Sequence, residues 1–455
     1  MNLTSRQRKL AYTACIVLLL IPIILLGMPA EPGSAGGLLA RERARDGLSE
    51  SDLGKVDPAS STMSLLLLGF RGIATSLLWM DAQEQQRNKD WAGLRATTES
   101  IILLQPHFLK VWHFQGWNLA YNVSAEWDAV ADRWYWVKEG IKFFKKGRDR
   151  NEKYAELYWY IGDTTGKKIG RSDEWKQFRR FFRVDPDKER FQGNADNQIN
   201  TGQGRNDNYL EAGYWFLEAD ETVFRYGHQE HIMAPYLFRS YPVRAQFDYA
   251  GTLQREGIFD EVCVEAWNTA FKNWTDSPQP PIKVAYGQME FDCPIGKIKF
   301  EVPLEAWKVL QAQDADKPDV GQRVTHWIGR YQSTTNYLFW RTKSLAESKT
   351  QTADVHRLLY EGEEAFRQAD FSRGLELFNE GMAKYEKVLE DFPSLRNEDE
   401  TLEEALIALH FWRDLLELTE TDVPDEYPLQ EIWDENPQRR EHAKDEYKRR
   451  RRAPR

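Results

Sequence analysis

Cysteine and recognisable catalytic motifs are scarce in this sequence. Its 455 residues include three cysteines, Cys15, Cys263 and Cys293, which are too few for a disulfide scaffold or a cysteine-rich zinc site. No Gly-x-Ser-x-Gly motif is present. His228 and His231 show no third ligand nearby, and the zinc-binding helix motif requires the i,i+4 spacing that they lack. We therefore predict no enzyme, no cofactor and no metal site.

The chain also lacks an excess of positive charge. Its formal net charge is −10 at pH 7, which argues against a nucleic-acid partner. Aromatic residues, in contrast, are abundant at 13%, and seventeen of them are tryptophan. This composition is typical of a folded protein, and the length allows about two or three domains.

The N-terminal residues resemble a membrane anchor. Residues 1–9 carry three basic side chains, and residues 10–28 form an uncharged apolar run. About 20 apolar residues span a bilayer, so we predict an uncleaved transmembrane anchor, with a cleaved signal peptide as the alternative. The basic flank predicts a cytoplasmic N-terminus, with the bulk of this single-pass cell-membrane protein outside the cytoplasm, in the periplasm. Residues 29–61 are predicted to be a linker.

Residues 63–80 leave the topology open. They are largely apolar, but Arg71 lies near their middle and costs roughly 2.5–3.5 kcal/mol in a bilayer on insertion scales. We expect a buried first helix here. The alternative is a second span, which would place most of the chain in the cytoplasm as an adaptor.

Repeated helical hairpins are the predicted architecture of the remaining chain. Residues 62–184 read as tryptophan-rich helices of about 15 residues joined by short turns, the unit of an α-solenoid. One of these helices is predicted over Trp91 to Leu104. Residues 351–418 read as a tetratricopeptide (TPR)-like hairpin followed by an acidic helix, and their Asp370-Phe371 turn is similar to Asp90-Trp91.

The segments between and after these repeats have different compositions. Residues 185–208 form an Asn/Gly-rich loop, and 209–350 are a central helical region with a small β-hairpin near 288–302, around Pro294-Ile295-Gly296. Residues 419–455 are an acidic, then basic tail, predicted to be solvated. Its basic stretch, 439–455, is able to contact anionic lipid. The predicted fold is therefore mainly α: a transmembrane helix, then a TPR-like α-solenoid with a β-hairpin insertion.

Several strings resemble a known family. The chain is similar to an uncharacterised, planctomycete-type family of membrane-anchored proteins with TPR-like repeats, some of which are labelled "iron-responsive element" protein. The resemblance covers most of the chain and implies membrane attachment and helical repeats, but it implies no functional residues. The strings that carry it are Gly69-Phe70-Arg71-Gly72, Leu78-Trp79-Met80-Asp81-Ala82, Leu104-Gln105-Pro106-His107, Gly116-Trp117-Asn118-Leu119-Ala120-Tyr121-Asn122, Trp134-Tyr135-Trp136-Val137, Tyr337-Leu338-Phe339-Trp340-Arg341 and Tyr360-Glu361-Gly362.

One aromatic helix carries the candidate binding residues. Asn118 and Asn122 are spaced i,i+4, and such a pair can bind a peptide backbone as donor and acceptor. The alternative is a buried asparagine ladder. The candidate ligand or peptide-binding residues are Trp112, Trp117, Asn118, Tyr121 and Asn122. A disulfide between Cys263 and Cys293 is also possible in an extracytoplasmic protein.

These observations predict a scaffold. We expect a membrane-anchored, TPR-like protein that mediates protein–protein interaction at the cell envelope with an unidentified protein or peptide. A first alternative is an envelope carbohydrate-binding protein or hydrolase that uses exposed tryptophans, among them Trp112, Trp117, Trp134 and Trp136. The cytoplasmic-facing adaptor is the second.

Overall fold

The computed structural model describes most of the chain, which folds as two compact units, Met1–Arg239 and Ser240–Arg455. The described residues are mainly helical, as predicted. They are 4–28, 36–46, 55, 71–226, 233–276, 283–286, 289–292, 326 and 329–452.

The first unit consists of helices joined by short turns. Two of them, α5 and α7, continue directly into π-helices, at Asn118–Val123 and Thr164–Lys168. The helices in chain order are α1 (Ser5–Gly27), α2 (Leu38–Arg45), α3 (Arg71–Arg87), α4 (Trp91–Leu104), α5 (Leu109–Trp117), α6 (Val130–Arg150), α7 (Ala155–Asp163), α8 (Ile169–Arg171), α9 (Trp175–Arg183), α10 (Lys188–Phe191), α11 (Asn208–Tyr226) and the start of α12 (Pro235–Arg255).

The N-terminal helix corrects the predicted fold class. Helix α1 begins earlier than the predicted span over 10–28, because Thr4 and Gln7 form a reciprocal capping box at its N-terminus. It therefore includes basic residues in its first turns, and Pro22 lies inside it. Among the described residues, no helix is long and apolar enough to cross a membrane. The prediction of a transmembrane helix is contradicted by this finding.

The predicted linker contains regular structure. Helix α2 lies inside 29–61, and Lys55 binds the end of α6 through an ion pair of 3.1 Å between its Nζ and Asp149 Oδ2. The first eight residues of the possible second span, 63–80, lie outside the described residues, which resume at Arg71 with α3.

Glycine–phenylalanine contacts set how closely neighbouring helices of the first unit approach. A Cβ atom at Gly116 would lie 2.6 Å from the ring of Phe144, and one at Gly162 would lie 2.8 Å from Phe216. Real Cβ atoms do not approach this closely, so each site requires glycine. The first contact joins α5 to α6 and the second joins α7 to α11. Both glycines lie just before the π-helix of their own helix.

The Asn/Gly-rich loop 185–208 is ordered by buried charge. Asp185 accepts hydrogen bonds from the Trp134 indole at 3.0 Å and from the Lys138 amine at 2.6 Å. Lys142 Nζ lies 2.8 Å from Asp196 Oδ2. The three donors are spaced i,i+4,i+8 on α6 and so share one helix face. That face therefore fixes the loop.

The second unit contains the remaining helices and the only strand pair in the described residues. Its elements after α12 are α13 (Glu261–Thr275), β1 (Lys283–Tyr286), β2 (Met289–Asp292), α14 (Tyr337–Glu347), α15 (Thr350–Arg367), α16 (Phe371–Asp391), the 3₁₀ turn Pro393–Leu395, α17 (Asp399–Leu418), α18 (Gln430–Glu435) and α19 (Pro437–Arg452).

The hairpin of α15 and α16 repeats the first unit's packing. A Cβ at Gly362 would lie 2.9 Å from the Phe378 ring. Where helices α14 to α17 meet, His356 lies between two carboxylates, with Nδ1 2.7 Å from Glu404 Oε1 and Nε2 3.0 Å from Glu347 Oε2. Tyr385 also donates to Glu404, at 3.2 Å. One buried imidazole therefore links several helices.

The β-hairpin has a different partner strand from the one predicted. The predicted strand at Met289 exists as β2, but it pairs antiparallel with β1, so that Tyr286 lies opposite Met289. The predicted turn at Pro294-Ile295-Gly296 and the rest of 288–302 lie outside the described residues. A hairpin over 288–302 is therefore wrong. Alternation marks a strand but does not select its partner.

Two further expectations differ from the structure. The tail 419–455 is not simply solvated, because α19 packs on α17. Contact of 439–455 with anionic lipid stays a prediction. Cys263 is a buried free thiol, and burial raises its pKa to about 12. The structure therefore does not support a disulfide from Cys263, and Cys293 lies outside the described residues.

Candidate functional site

The π-helix Asn118–Val123 organises the candidate site through a chain of amides. Asn118 is fully buried, and its Nδ2 donates to Phe114 O at 2.8 Å. Its Oδ1 accepts from Gln86 Nε2 at 2.8 Å and from Asn122 Nδ2 at 2.5 Å. The amide of Asn118 is therefore used inside the protein, as the asparagine-ladder alternative predicted. Only Asn122 of this pair reaches the surface.

A pocket of about 420 Å³ lies where Asn122 reaches the surface. This volume lies within the roughly 300–1,000 Å³ range of ligand pockets. The pocket is formed by the end of α3, the start of α4 and the residues that follow the π-helix. Its lining combines amides, one indole and charged groups: Gln86, Arg87, Lys89, Trp91, Asn122, Ala125 and Glu126.

The turn between α3 and α4 shapes one wall of the pocket. Lys89 has a left-handed backbone, with φ of 56°, and Asp90 caps α4 by accepting from Gly93 N at 3.0 Å. The reversal presents the Lys89 side chain to Glu126, with 2.7 Å between Nζ and Oε1. This ion pair is well exposed, so it contributes little stability. Both groups remain accessible to a ligand.

Trp117 and Tyr121 form an aromatic pair on the same helix. Their rings are stacked with 5.2 Å between centroids, and Trp117 is 42% exposed. The Lys168 amine lies 5.2 Å from the Tyr121 ring centroid. Burial raises the pKa of Tyr121, and Asp163 adds to this effect. The phenol therefore stays protonated at neutral pH and can donate a hydrogen bond.

Two of the proposed tryptophans belong to the core. Trp112 and Trp134 are 0% and 1% exposed. Their indole N–H groups are bonded internally, to Pro106 O at 2.8 Å and to Asp185 at 3.0 Å. Trp112 is thus not available to a ligand. Trp127 differs, being 43% exposed and stacked at 6.3 Å on Trp136, which is half-buried.

Sequence reasoning missed the half of the pocket formed by Gln86, Lys89, Trp91 and Glu126. These residues lie on α3, on α4 and after the π-helix, so their proximity depends on how the hairpins pack. A weak signal was available, because Gln86 and Lys89 shortly precede the Asp90-Trp91 turn, and the end of a hairpin often lies beside the next helix.

The described residues offer no metal-binding cluster. Across the part of the chain that the structure describes, no three histidine, cysteine, aspartate or glutamate side chains are grouped to hold a metal ion, and His228 and His231 lie outside that part. No protein-family model matches the chain, and no curated protein is significantly similar to it. The resemblance to the planctomycete-type family stays a prediction.

Proposed function

We propose that this protein is a helical scaffold that binds an extended peptide segment of a partner protein at the pocket beside Asn118–Val123. The observation that carries the proposal is the lining of this pocket. It brings the side chains of Asn122 and Gln86 next to the indole of Trp91. Amides offer both a donor and an acceptor to a peptide backbone, and an indole offers a rigid apolar surface to a side chain.

The surroundings of the pocket support the same ligand class. The amide chain through buried Asn118 holds Gln86 and Asn122 in place, so little side-chain entropy is lost when a peptide binds. Trp91 in the lining is of a residue type that frequently carries much of the binding energy at protein interfaces.

Peptide display on the full chain tests this proposal. A library of random peptides is selected on the immobilised protein, and the Kd of selected peptides is measured by fluorescence anisotropy. We expect Asn122→Ala and Trp91→Ala each to weaken binding about tenfold, or about 1.4 kcal/mol. Asn268→Ala, at a half-buried asparagine in the second unit, is the matched control and should bind as the parent does. Equal binding by all variants, or failure to select any peptide, would overturn the proposal.

The exposed Trp117 and the Trp127–Trp136 stack favour one second candidate, a carbohydrate-binding protein. Sugars stack on exposed indoles, so this function predicts binding to immobilised polysaccharide that Trp127→Ala and Trp117→Ala both weaken. Peptide binding with no polysaccharide binding would exclude it.

The location of the protein stays a prediction. Protease protection of the C-terminus in spheroplasts separates the predicted extracytoplasmic location from the cytoplasmic-facing alternative.

A further inference from the structure

The C-terminal helix α19 occupies a surface of the second unit that we call the acidic groove, formed by α15 and α17 and defined by Glu363, His410, Phe411 and Asp414. Tyr447 of α19 is the anchor. Its ring packs edge-on against Phe411 at 4.8 Å and stacks on His410 at 5.5 Å. Its hydroxyl donates to Asp414.

Charge complementarity surrounds this anchor. Arg450 Nη1 lies 3.3 Å from Glu363 Oε1, and Arg451 Nη1 lies 2.9 Å from Asp414 Oδ2. Burial alone would lower the pKa of Arg450, but the carboxylate of Glu363 raises it overall. A basic helix therefore fits this groove, and the chain itself supplies one.

The contacts are spaced as on a helix bound in a groove. Ala443 and Tyr447 are buried and four residues apart, and Arg450 and Arg451 follow at i,i+3 and i,i+4 from the tyrosine. This i,i+3,i+4 pattern is how an amphipathic helix presents its anchors to a groove. Lys448 and Arg449, between these contacts, face solvent and are 52% and 77% exposed.

The hold on α19 is weak for a helix of its length. Among its apolar side chains, Ala443 and Tyr447 supply the burial. The arginines of its ion pairs with α15 and α17 are 48%, 40% and 47% exposed: Arg439, Arg450 and Arg451. His410 Nε2 also donates a hydrogen bond to Arg440 O at 3.0 Å. Exposed pairs contribute little and are screened by salt. The short segment after α17 keeps α19 at a high effective concentration, which favours docking without adding contacts. We expect such an element to open at a lower free energy than the core helices do.

We propose that the acidic groove is a docking surface for a basic amphipathic helix of a partner protein, which presents an aromatic anchor followed by arginines, and that α19 covers this surface until such a helix displaces it. The proposal goes beyond the peptide pocket, because it concerns the second unit and a helical ligand. The two can therefore fail independently.

The probe for this proposal is a fluorescein-labelled synthetic peptide with the sequence of residues 437–452. Its anisotropy is measured against the full chain and against the full-chain variant Tyr447→Ala, in which the cis helix has lost its anchor. We expect the peptide to bind the variant about tenfold or more tighter than the parent, and binding to weaken as salt rises. Asp414→Asn in the Tyr447→Ala background should reduce binding, whereas Glu417→Gln, at an exposed residue of the same helix, should not.

Hydrogen exchange shows whether the variants keep the groove. Amides of α19 in the full chain should exchange faster than those of α17, and salt should increase the difference. No peptide binding to the Tyr447→Ala chain while α17 stays protected would overturn the proposal, as would binding that Asp414→Asn leaves unchanged. Concentration-dependent dimers of the parent chain that exchange their C-terminal helices would also overturn it, because the occupant would then be a second copy.

Discussion

The hairpin α3–α4 of the first unit and the hairpin α15–α16 of the second reverse the chain in the same way but have different surroundings. Each turn has a left-handed residue, Lys89 with φ of 56° or Ala369 with φ of 61°. An aspartate follows, which caps the next helix: Asp90 accepts from Gly93 N, and Asp370 accepts from Arg373 N. The turn is therefore a shared local structure, which by itself specifies no function.

The difference lies in how the polar groups beside each hairpin are used. In the first unit, amides beside a π-helix lead outward to an open pocket through Gln86 and Asn122. In the second, charged groups lead inward, where His356 joins Glu347 and Glu404. The same hairpin structure can therefore carry either a surface site or an internal polar link between helices, according to where its polar side chains lie.

The largest expected effect tests whether the two units share their packing. Phe144→Ala and Phe378→Ala each remove a ring that is 1% or 0% exposed and lies against a glycine. We expect each to lower the free energy of unfolding of its own unit by about 3–5 kcal/mol, the usual cost of a phenylalanine cavity. Urea unfolding followed by hydrogen exchange of peptides assigns the loss to a unit. A small loss in either variant would show that the glycine–phenylalanine contact is not equivalent in the two.

The second-largest expected effect is a pH dependence of the stability of the second unit. Burial by itself lowers the pKa of His356, but Glu347 and Glu404 raise it well above its usual range overall. The stabilisation that corresponds to this raised pKa is fully present below about pH 6.5, the pKa of histidine in the unfolded chain. It is lost as pH rises through the pKa of His356 in the folded unit. The second unit should therefore lose stability toward alkaline pH.

The variant His356→Gln checks the source of this dependence. Removing the cation leaves buried carboxylates uncompensated, at a cost of about 3 kcal/mol at neutral pH, and it should flatten the alkaline loss. Thermal unfolding of the parent and the variant between neutral and alkaline pH provides the measurement. An unchanged pH profile would place the titrating group elsewhere.

The smallest effect tests the shared turn directly. Asp90→Ala and Asp370→Ala each remove one N-cap, which costs about 1 kcal/mol. Equal losses in urea unfolding would confirm that the turns are equivalent. A larger loss at Asp90 would mean that its turn also supports the pocket wall, and peptide affinity would then fall in the same variant. Thr352→Ala, in the first turn of α15, is a comparison outside both caps.

Much of the helical fold could be predicted from the sequence. Helix Trp91–Leu104 is predicted at the bounds that the structure shows, because a capping aspartate and a nearby proline mark its ends. The acidic helix that closes 351–418 is also predicted, and α17 ends at Leu418. Strand Met289–Asp292 is recognisable from its alternation, but its partner is not, because Lys283–Tyr286 shows no apolar/polar alternation. The transmembrane helix was inferred from hydropathy alone and is contradicted.

Part of the candidate site could also be predicted from the sequence. Asn122 and Trp117 were found from their spacing on one helix, and both reach the surface. The sequence did not distinguish the buried Trp112 from these two residues, because helical periodicity does not show which face of an aromatic helix the next hairpin covers. The docking of the tail on α17 depends on opposite charges that are distant in sequence, such as Asp414 and Arg451. Local sequence patterns show these charges only as two separate charged segments, which are then predicted to be solvated.

The π-helix Asn118–Val123 makes this region sensitive to chain length. Its i to i+5 hydrogen bonding takes one residue more per turn than an α-helix, so deletion of one residue would let the segment close as ordinary α-helix. Because the wide turn takes up the extra residue, the helix on either side of it would keep its orientation. Only the side chains within the turn, Asn118 and Asn122 among them, would change their positions around the axis. Related chains that differ by one residue here would keep the hairpins but present a different surface, so insertion or deletion can change the ligand without changing the core.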